Sequence, residues 1–473
     1  MDKDYEIVIG VEVHVELKTK TKIFCACTTE FGGEPNTHCC PVCMGFPGTL
    51  PVLNEEVVNY AIQAGLATNC EITGNSKQDR KHYFYPDLPT SYQISQDEPP
   101  ICHDGHLDIE VEGREKTIGI TRIHIEEDAG KLIHIDGLGT LVDYNRSGVP
   151  LIEIVSEPDL RSAEETRAFL QKLRAIMLYI GVSDCKMNEG SFRCDVNLSV
   201  RKKGEEEYGT RTEMKNLNSF QSVMRTIEYE AQRQIKEIKD GGIIIQETRR
   251  FDQNSGKTFS MRTKEDAQDY RYLPDADLMP IVIDEEKIEK LRKTLPDLPD
   301  VRKRLYMDRY GLNSYDAEQL IASIDIADYF EKAVKLCKNP KTLANIMITE
   351  VFRIVDTDDF EAPFSYKYLA ELVDLLEDGK ITGSSGKKVL EQMIKEDKSP
   401  SMIVKEKNFE QINDIDTLLP IIREAIASSE KAVKEYKGGK EKALQSIIGK
   451  IMGKTGGKAN PETTIKLLKE NLK

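Results

Sequence analysis

Three segments of the chain alternate hydrophobic and polar residues, a pattern that predicts β-strands. They lie at residues 7–17, near residues 120–128 and at residues 194–200. Alternation with a period of two places apolar side chains on one face of a sheet and polar side chains on the other. The three polar faces carry Glu12, His14 and Glu16; Arg122, His124 and Glu126; and Asp195, Asn197 and Ser199.

These polar faces predict a site for a divalent cation. Side chains two residues apart on a strand stand roughly 7 Å apart, so groups from other strands must complete such a site. Glu126, Glu127 and Asp128 follow one another and repel unless water or a cation neutralises them. Oxygen donors with an imidazole suit Mg²⁺ or Mn²⁺ better than zinc. The alternative is a solvated polar face that happens to hold a histidine.

Other segments predict helices and a division into three parts. A helix should begin after Ser162 and end at Gly181, and another should span residues 220–239 with Asn218 or Ser219 as its cap. Two prolines interrupt the pattern at residues 294–300, and only helices follow. We therefore expect a mixed domain at residues 1–293, a helical domain at 294–405 and a helical tail at 406–473.

Half of the ten cysteines lie close together near the N-terminus. Cys25 and Cys27 form one pair, and Cys40 and Cys43 form a second pair twelve residues later, with Cys39 directly before it. This spacing is typical of a structural tetrahedral zinc site, in which Cys39 would be the spare thiol. A redox-active Cys-x-x-Cys pair is the alternative.

Composition and charge indicate where the protein is located and what kind of partner it binds. The 473 residues include 39% hydrophobic and 31% charged residues, contain no apolar stretch of membrane-spanning length and begin without a signal-peptide pattern. We therefore expect a cytoplasmic protein without a membrane segment. The net charge is −15, yet residues 431–473 hold eleven lysines and four glutamates. Lys454 and Lys458 lie there in a glycine-rich loop that suits nucleic acid; a solvated basic helix pair is the alternative.

A further segment, residues 80–87, alternates cations with aromatic residues. Tyr83 and Tyr85 could stack on the bases at a single-stranded end of a nucleic acid. They could equally point inward from a strand.

Two absences are informative. The glycines of residues 449–455 are one residue too close together for a phosphate-binding loop, and the segment follows a helical pattern. A nucleotide would therefore bind at the acidic residues through metal. We also find no Ser-Ser-Lys constellation and no reactive Cys–His pair of the kind that hydrolyses amides.

The whole chain resembles the B subunits of tRNA-dependent amidotransferases. The similar segments include VIGVEVHVELKTKTKIFCAC, RKHYFYPDLPTSYQISQ, GITRIHIEEDAGK, GSFRCDVNLSVR and DYRYLPDADLMP. In that family the B subunit uses ATP and Mg²⁺ to phosphorylate the side-chain carboxylate of Glu-tRNA(Gln), and often of Asp-tRNA(Asn). Ammonia then displaces the phosphate. The related archaeal E subunit carries an inserted domain for which this chain is too short.

The resemblance implies an α+β fold: a catalytic cradle domain with a predominantly antiparallel sheet, then two helical domains. It implies a heterotrimer with an A subunit that hydrolyses glutamine and a C subunit, and a tail that grips tRNA. The alternative is a non-catalytic, zinc-stabilised tRNA-binding scaffold. The implied residues are Glu12, His14, Glu126 and Glu127 as Mg²⁺ ligands, Glu153 and Asp195 as additions, and Lys81, Arg80 and Lys215 as cations that offset phosphate or carboxylate charge.

Overall fold

The computed structural model of the chain describes residues 3–135, 137–263, 269–357, 360–412 and 414–472. Contacts divide the chain into two units, Met1–Leu298 and Pro299–Lys473. Among the described residues, no helix combines the length and the apolar composition that crossing a membrane requires.

In its described residues, the first unit contains sixteen strands and four helices. The strands are β1 (Tyr5–Glu16), β2 (Glu71–Ile72), β3 (Asn75–Ser76), β4 (Asp79–His82), β5 (Tyr92–Ser95), β6 (Cys102–Val111), β7 (Arg114–Glu127), β8 (Lys131–Ile135), β9 (Gly139–Asp143), β10 (Pro150–Ser156), β11 (Phe192–Lys202), β12 (Thr212–Lys215), β13 (Glu247–Asp252), β14 (Lys257–Thr263), β15 (Leu273–Pro274) and β16 (Ile281–Val282). The helices are α1 (Glu55–Ala67), α2 (Ala163–Tyr179), α3 (Phe220–Lys239) and α4 (Glu285–Arg292).

Nine of these strands form the main sheet of the described chain, in the order β14-β13-β12-β11-β1-β10-β7-β6-β2. All neighbours pair antiparallel except β12 and β13, which are parallel. Strands β15, β4 and β5 form a smaller sheet, and β16–β3 and β8–β9 pair separately. The predicted mixed α/β domain with a mostly antiparallel sheet is confirmed.

Strand β1 lies in the middle of the sheet because its apolar side chains can be buried together. Ile7, Ile9, Val13 and Val15 are completely shielded from solvent. Each such side chain stabilises the fold by roughly 1.5–3 kcal/mol. Helix α2 contacts β6 and helix α3 contacts β11. The polar positions of β1 therefore point to the sheet face that these helices do not cover.

The two helices predicted in this unit are confirmed. The hydroxyl of Ser162 accepts a hydrogen bond from the Glu165 amide and caps α2. Ser219, and not Asn218, caps α3 by accepting from the Ser222 amide. Side-chain oxygens at these positions satisfy amides that have no partner within the helix.

The second unit is helical throughout its described residues apart from loops and isolated pairings. Its helices are α5 (Pro299–Tyr310), α6 (Ser314–Leu320), α7 (Ile324–Val334), α8 (Pro340–Ile346), α9 (Tyr366–Glu377), α10 (Gly383–Glu396), α11 (Pro400–Glu406), α12 (Ile415–Ala427), α13 (Glu430–Lys437), α14 (Ala443–Lys454) and α15 (Pro461–Leu472), and a π-helical turn, Met347–Val351, follows α8.

Buried apolar residues of the second unit fall into separate clusters. One cluster runs from Tyr306 to Val404 and the other from Leu418 to Leu472. The break between the units, at Leu298, lies inside the proline-containing segment 294–300. Helix α5 begins at Pro299 because proline is well tolerated at the first helical position. The sequence boundaries at residues 293 and 405 stay predictions.

Candidate active site

Strand register brings polar residues from four strands into one row. His14 of β1 lies opposite Glu153 of β10 on one side and Arg193 of β11 on the other. Glu153 in turn lies opposite His124 of β7. Neighbouring strands are about 4.8 Å apart, so side chains of this row on adjacent strands are close enough to contact one another.

Two imidazoles and two carboxylates meet at this row. The His14 Nε2 atom lies 3.3 Å from Glu153 Oε2 and 3.7 Å from Glu126 Oε1. The His124 Nε2 atom lies 3.6 Å from Glu153 Oε2 and 3.8 Å from Glu126 Oε2. The hydroxyl of Ser95 on β5 donates to Glu126 Oε2 at 3.3 Å. We call His14, His124, Glu126 and Glu153 the histidine–glutamate cluster.

The cluster keeps its carboxylates ionised although it is buried. Burial acts to raise the pKa of Glu153, but the hydrogen bond with His14 and the charges of His124, His14 and Lys81 hold it well below its usual range. Burial likewise opposes ionisation of Glu126, but its interaction with His124 and the charge of Lys81 lower its pKa. Burial acts to lower the pKa of His14, yet its hydrogen bond with Glu153 raises it. The cluster therefore holds two ionised carboxylates beside two imidazoles, and these are groups that can bind a divalent cation.

A second acidic group lies beside the cluster. Oxygens of Glu12, Asp195 and Glu213 lie within 4.8 Å of one another. Lys215 Nζ is 2.5 Å from Asp195 Oδ2 and 2.9 Å from Glu213 Oε1, and Asn197 donates to Glu12 at 2.9 Å. Burial and the charge of Glu153 raise the pKa of Glu12. Lys215 therefore neutralises protein carboxylates in this group.

Lys81 faces the histidine–glutamate cluster from the smaller sheet. Its ammonium lies 4.9 Å from the ring centre of Tyr270 and 5.9 Å from that of Tyr83. Burial alone would lower the pKa of Lys81, but the charges of Glu126, Tyr272 and Glu153 raise it. A permanently charged ammonium therefore stands near the two carboxylates.

The structure does not bring Arg80 and Glu127 to the cluster. Arg80 binds Asp275 at 2.6 Å and Asp277 at 3.1 Å. Glu127 accepts from the Ile94 amide at 2.9 Å and lines a cavity of about 130 Å³ on the side of Cys43, and burial raises its pKa to about 8. Successive residues of a strand point to opposite faces. Arg80 is thus turned away from the direction of Lys81, and Glu127 from that of Glu126.

Tyr83 and Tyr85 lie beyond the end of a strand. Strand β4 ends at His82, so the alternative in which both rings alternate within a strand is wrong. The Tyr83 hydroxyl donates to Gln93 Oε1 at 3.1 Å, and the rings of Tyr83 and Tyr85 are 6.3 Å apart. Tyr85 is exposed and available to a partner.

Four cysteines converge in the segment that follows β1. The sulfur atoms of Cys25, Cys27, Cys40 and Cys43 lie within 4.8 Å of one another. Cys39 does not join them, and its sulfur faces Asn145 Oδ1 at 3.7 Å. The thiol of Cys25, the Cys40 amide and the Lys22 ammonium hold the pKa of Cys43 well below its usual value. The four sulfurs fit a tetrahedral zinc site.

The lysines of the C-terminal loop differ in their surroundings. Lys454 ends α14 and pairs with Glu424 at 2.5 Å. The carbonyl of Lys458 accepts from the Ile412 amide at 2.8 Å, which fixes the backbone of the loop. Asn460 then caps α15 by accepting from the Thr463 amide, as its position before Pro461 predicts.

The sequence indicates that His124 shares the face of Glu126, and the structure adds both His124 and Glu213 to the candidate ligands. For His124 the signal was present, because it alternates with Glu126 and points the same way. Glu213 lies in a short strand that pairs with β11 only over Val196–Leu198. Nothing in the sequence indicates that register.

The fold and the cluster together define a class: a domain of mixed α/β structure that carries a buried histidine–glutamate cluster and is followed by helical regions. The chain belongs to the GatB/GatE family, since the family model described as "GatB/GatE catalytic domain" matches residues 7–289. A second model, described as "GatB domain", matches residues 328–472. The resemblance found in the sequence is confirmed.

Curated relatives match along the entire chain. A protein of Caldicellulosiruptor saccharolyticus is 57% identical over 476 residues, and one of Carboxydothermus hydrogenoformans is 54% identical over 477. A protein of Geotalea daltonii is 53% identical over 476 residues. In each case 99% of both chains is covered. All three are named as the B subunit of an aspartyl/glutamyl-tRNA(Asn/Gln) amidotransferase.

Proposed function

We propose that this chain is the component of a tRNA-dependent amidotransferase that activates and amidates the amino acid. It uses ATP to phosphorylate the side-chain carboxylate of Glu-tRNA(Gln), Asp-tRNA(Asn) or both, and ammonia then displaces the phosphate. The histidine–glutamate cluster is the observation that carries this proposal. Relatives that match 99% of the chain are named as subunits of an aspartyl/glutamyl-tRNA(Asn/Gln) amidotransferase, and these names support Glu-tRNA(Gln) and Asp-tRNA(Asn) as substrates.

The chemistry explains why such a cluster is needed. A carboxylate is a poor electrophile because it has no good leaving group, so amide formation requires prior conversion to an acyl phosphate. Phosphoryl transfer demands alignment of donor and acceptor and neutralisation of phosphate charge, and little covalent participation by the protein.

The donor set of the cluster fits a divalent cation. Glu126 and Glu153 have lowered pKa values and remain ionised, and the nearest atoms of His14, Glu126 and Glu153 lie within 4.8 Å of one another. Oxygens of Glu12 and Asp195, in the neighbouring group, add the ligand type that Mg²⁺ prefers. A bound Mg²⁺ would supply charge neutralisation and a template for the phosphate oxygens.

Side chains around the cluster would bind the anionic groups of the substrate and shield them from water. The Lys81 ammonium faces Glu126 and Glu153 and would attract the anionic carboxylate or phosphate. The rings of Tyr83 and Tyr270 lie beside it and would limit the access of water once the substrate is bound. Exclusion of water matters here because an acyl phosphate hydrolyses readily.

Ammonia must come from a partner under this proposal. The relatives are named as B subunits, which supports a complex of several chains. We infer an A subunit that hydrolyses glutamine and a C subunit that completes a heterotrimer in the cytoplasm, where charged tRNA is used. The exposed Tyr85 and the lysines Lys454 and Lys458 would contact the tRNA.

We propose that the four converging cysteines hold a structural zinc ion. Four thiolates close the coordination sphere of zinc, so this ion would stabilise the segment after β1 and take no part in the chemistry.

The test uses the complex of this chain with its A and C partners, supplied with glutamine, ATP, Mg²⁺ and Glu-tRNA(Gln). Glu126→Gln and His14→Ala should each lower tRNA-dependent ADP formation on the order of 100-fold, because both remove cation ligands. Affinity for tRNA should change little. Glu115→Gln, an exposed carboxylate on the same strand as Glu126, is the matched control and should behave as wild type.

An unchanged rate of amidation in both variants would contradict the proposed function. If amidation continues at the wild-type rate in Glu126→Gln and His14→Ala, the chain is a tRNA-binding scaffold and its partners perform the chemistry.

A further inference from the structure

Most cations near the histidine–glutamate cluster are already paired with protein carboxylates. Lys215 contacts Asp195 and Glu213. Arg193, opposite His14, binds Asp128 at 2.8 Å. These pairs hold their charges in place and leave few cations free for a substrate.

Arg122 is different. It makes no ion pair with any acidic residue in the described part of the chain, and its guanidinium donates one long hydrogen bond, 3.5 Å, to the carbonyl of Asp97. It is half-buried. A guanidinium carries five donors, so most donors of Arg122 are left for a ligand or for water.

Arg122 lies on strand β7 of the main sheet. It lies on β7 two residues before His124, and therefore on the same face. Its partner across the strands is Val155, which lies opposite Glu12. Arg122 thus occupies the row next to that of His14 and Glu153, on the uncovered face.

Arg122 and Lys81 border the same space. Burial raises the pKa of Tyr272, and the charges of Lys81 and Arg122 oppose that rise while those of Glu126 and Asp97 add to it. All four charged groups are therefore near one hydroxyl. The ring centres of Tyr270 and Tyr272 are 6.2 Å apart, and the Lys81 ammonium lies 4.9 Å from the centre of the Tyr270 ring.

We propose that Arg122 binds an oxyanion of the substrates, either a phosphoryl group of ATP or the side-chain carboxylate esterified to tRNA. This inference rests on the proposed function. A guanidinium matches both groups because its planar fork can donate two parallel hydrogen bonds to two oxygens. Arg122 would hold the oxyanion next to the cation site. Arg80 is a poorer candidate because its guanidinium is bound to Asp275 and Asp277.

The test compares Arg122→Gln and Arg122→Lys in the complete complex with its A and C partners. Arg122→Gln should lower kcat/KM for tRNA-dependent ADP formation on the order of 100-fold, the loss expected when one donor to a reacting oxyanion is removed. Arg122→Lys keeps the charge but loses the fork, and should lose at least about tenfold. A rise in the KM for ATP assigns the phosphoryl group, and a rise in the KM for Glu-tRNA(Gln) assigns the carboxylate.

Two controls make the result decisive. Arg114→Gln removes an exposed arginine from the same strand and should leave kcat/KM unchanged. Thermal unfolding of each variant shows whether it is folded; if Arg122→Gln does not fold, Arg122→Lys decides.

A folded Arg122→Gln variant with kcat/KM within about twofold of wild type would overturn this inference. Glu126→Gln, measured alongside, separates that result from failure of the proposed function. If Glu126→Gln abolishes ADP formation and Arg122→Gln does not affect it, only the role of Arg122 is wrong. If neither variant changes ADP formation, the proposed catalytic function fails as well.

Discussion

A lysine without any solvent exposure lies beside the four cysteines. Lys22 is 0% exposed, and its ammonium lies 3.6 Å from the sulfur of Cys43 and 3.2 Å from the carbonyl of Tyr144. Burying an unpaired ammonium would cost several kcal/mol. Four thiolates around the proposed Zn²⁺ would leave two net negative charges, so Lys22 and the bound ion would stabilise each other.

We therefore predict that Lys22→Met weakens zinc binding. Removal of a charged partner next to a metal ligand typically costs about 10–100-fold in affinity, so zinc should be lost to a chromogenic chelator at least about tenfold faster. Lys20→Met, an exposed lysine two residues away, is the matched control. Equal zinc release from the Lys22→Met variant and the control would show that the ammonium has no role in metal binding.

At the scale of elements, one buried carboxylate joins helix α3 to the sheet. Glu230 is 0% exposed and accepts hydrogen bonds from Arg233 at 2.6 Å, Thr258 at 2.9 Å and Thr212 at 3.2 Å. Arg249 approaches it at 3.4 Å. Thr212, Arg249 and Thr258 belong to β12, β13 and β14, so one side chain anchors the helix to three strands.

Replacing this carboxylate should therefore destabilise the first unit. Glu230→Gln would leave Arg233 without its closest anion and Arg249 with Glu247 alone, and breaking such a buried pair costs about 3–5 kcal/mol. Chemical denaturation at neutral pH should show this loss in the free energy of unfolding. Glu228→Gln, exposed on the same helix, is the control and should change stability by less than about 0.5 kcal/mol.

The contribution of Glu230 also depends on pH. Burial acts to raise its pKa, but the interactions with Arg233, Gln234 and Thr258 lower it below 4.5 in the folded protein. A lowered folded-state pKa contributes stability above the unfolded value, and this contribution is lost as the pH falls through the folded value. The stability difference between wild type and Glu230→Gln should shrink below about pH 4.5. A difference that stays constant through that range would contradict the assignment.

The elements were far easier to predict than the contacts between them. Alternation in residues 7–17 and the serines before α2 and α3 were enough to predict one strand and two helices, because these signals are local. The approach of Glu153 and His124 to His14 depends on strand order and register, which are long-range properties. The position of Glu127, in contrast, follows from a local signal. Glu127 comes directly after Glu126 in a strand, so the two side chains must point to opposite faces of the sheet.

At the scale of the whole molecule, charge is divided unevenly along the chain. Residues 431–473 hold eleven lysines and four glutamates, although the net charge of the protein is −15. These residues belong to the second unit, whose last buried cluster contains residues of α12, α14 and α15. An acidic protein that binds tRNA needs such a basic segment, because phosphate contacts provide most of the affinity for nucleic acid.

We predict that the double variant Lys454→Ala, Lys458→Ala weakens tRNA binding by the complete complex. Two lost phosphate contacts should raise the KM for Glu-tRNA(Gln) severalfold and reduce the slope of log affinity against log salt by about 1 to 2. The kcat should stay near wild type, because neither lysine belongs to the histidine–glutamate cluster. Lys332→Ala, Lys335→Ala removes two exposed lysines elsewhere in the second unit and serves as the control. An unchanged salt slope in the first double variant would mean that the loop between α14 and α15 is a solvated surface and that the tRNA is held elsewhere.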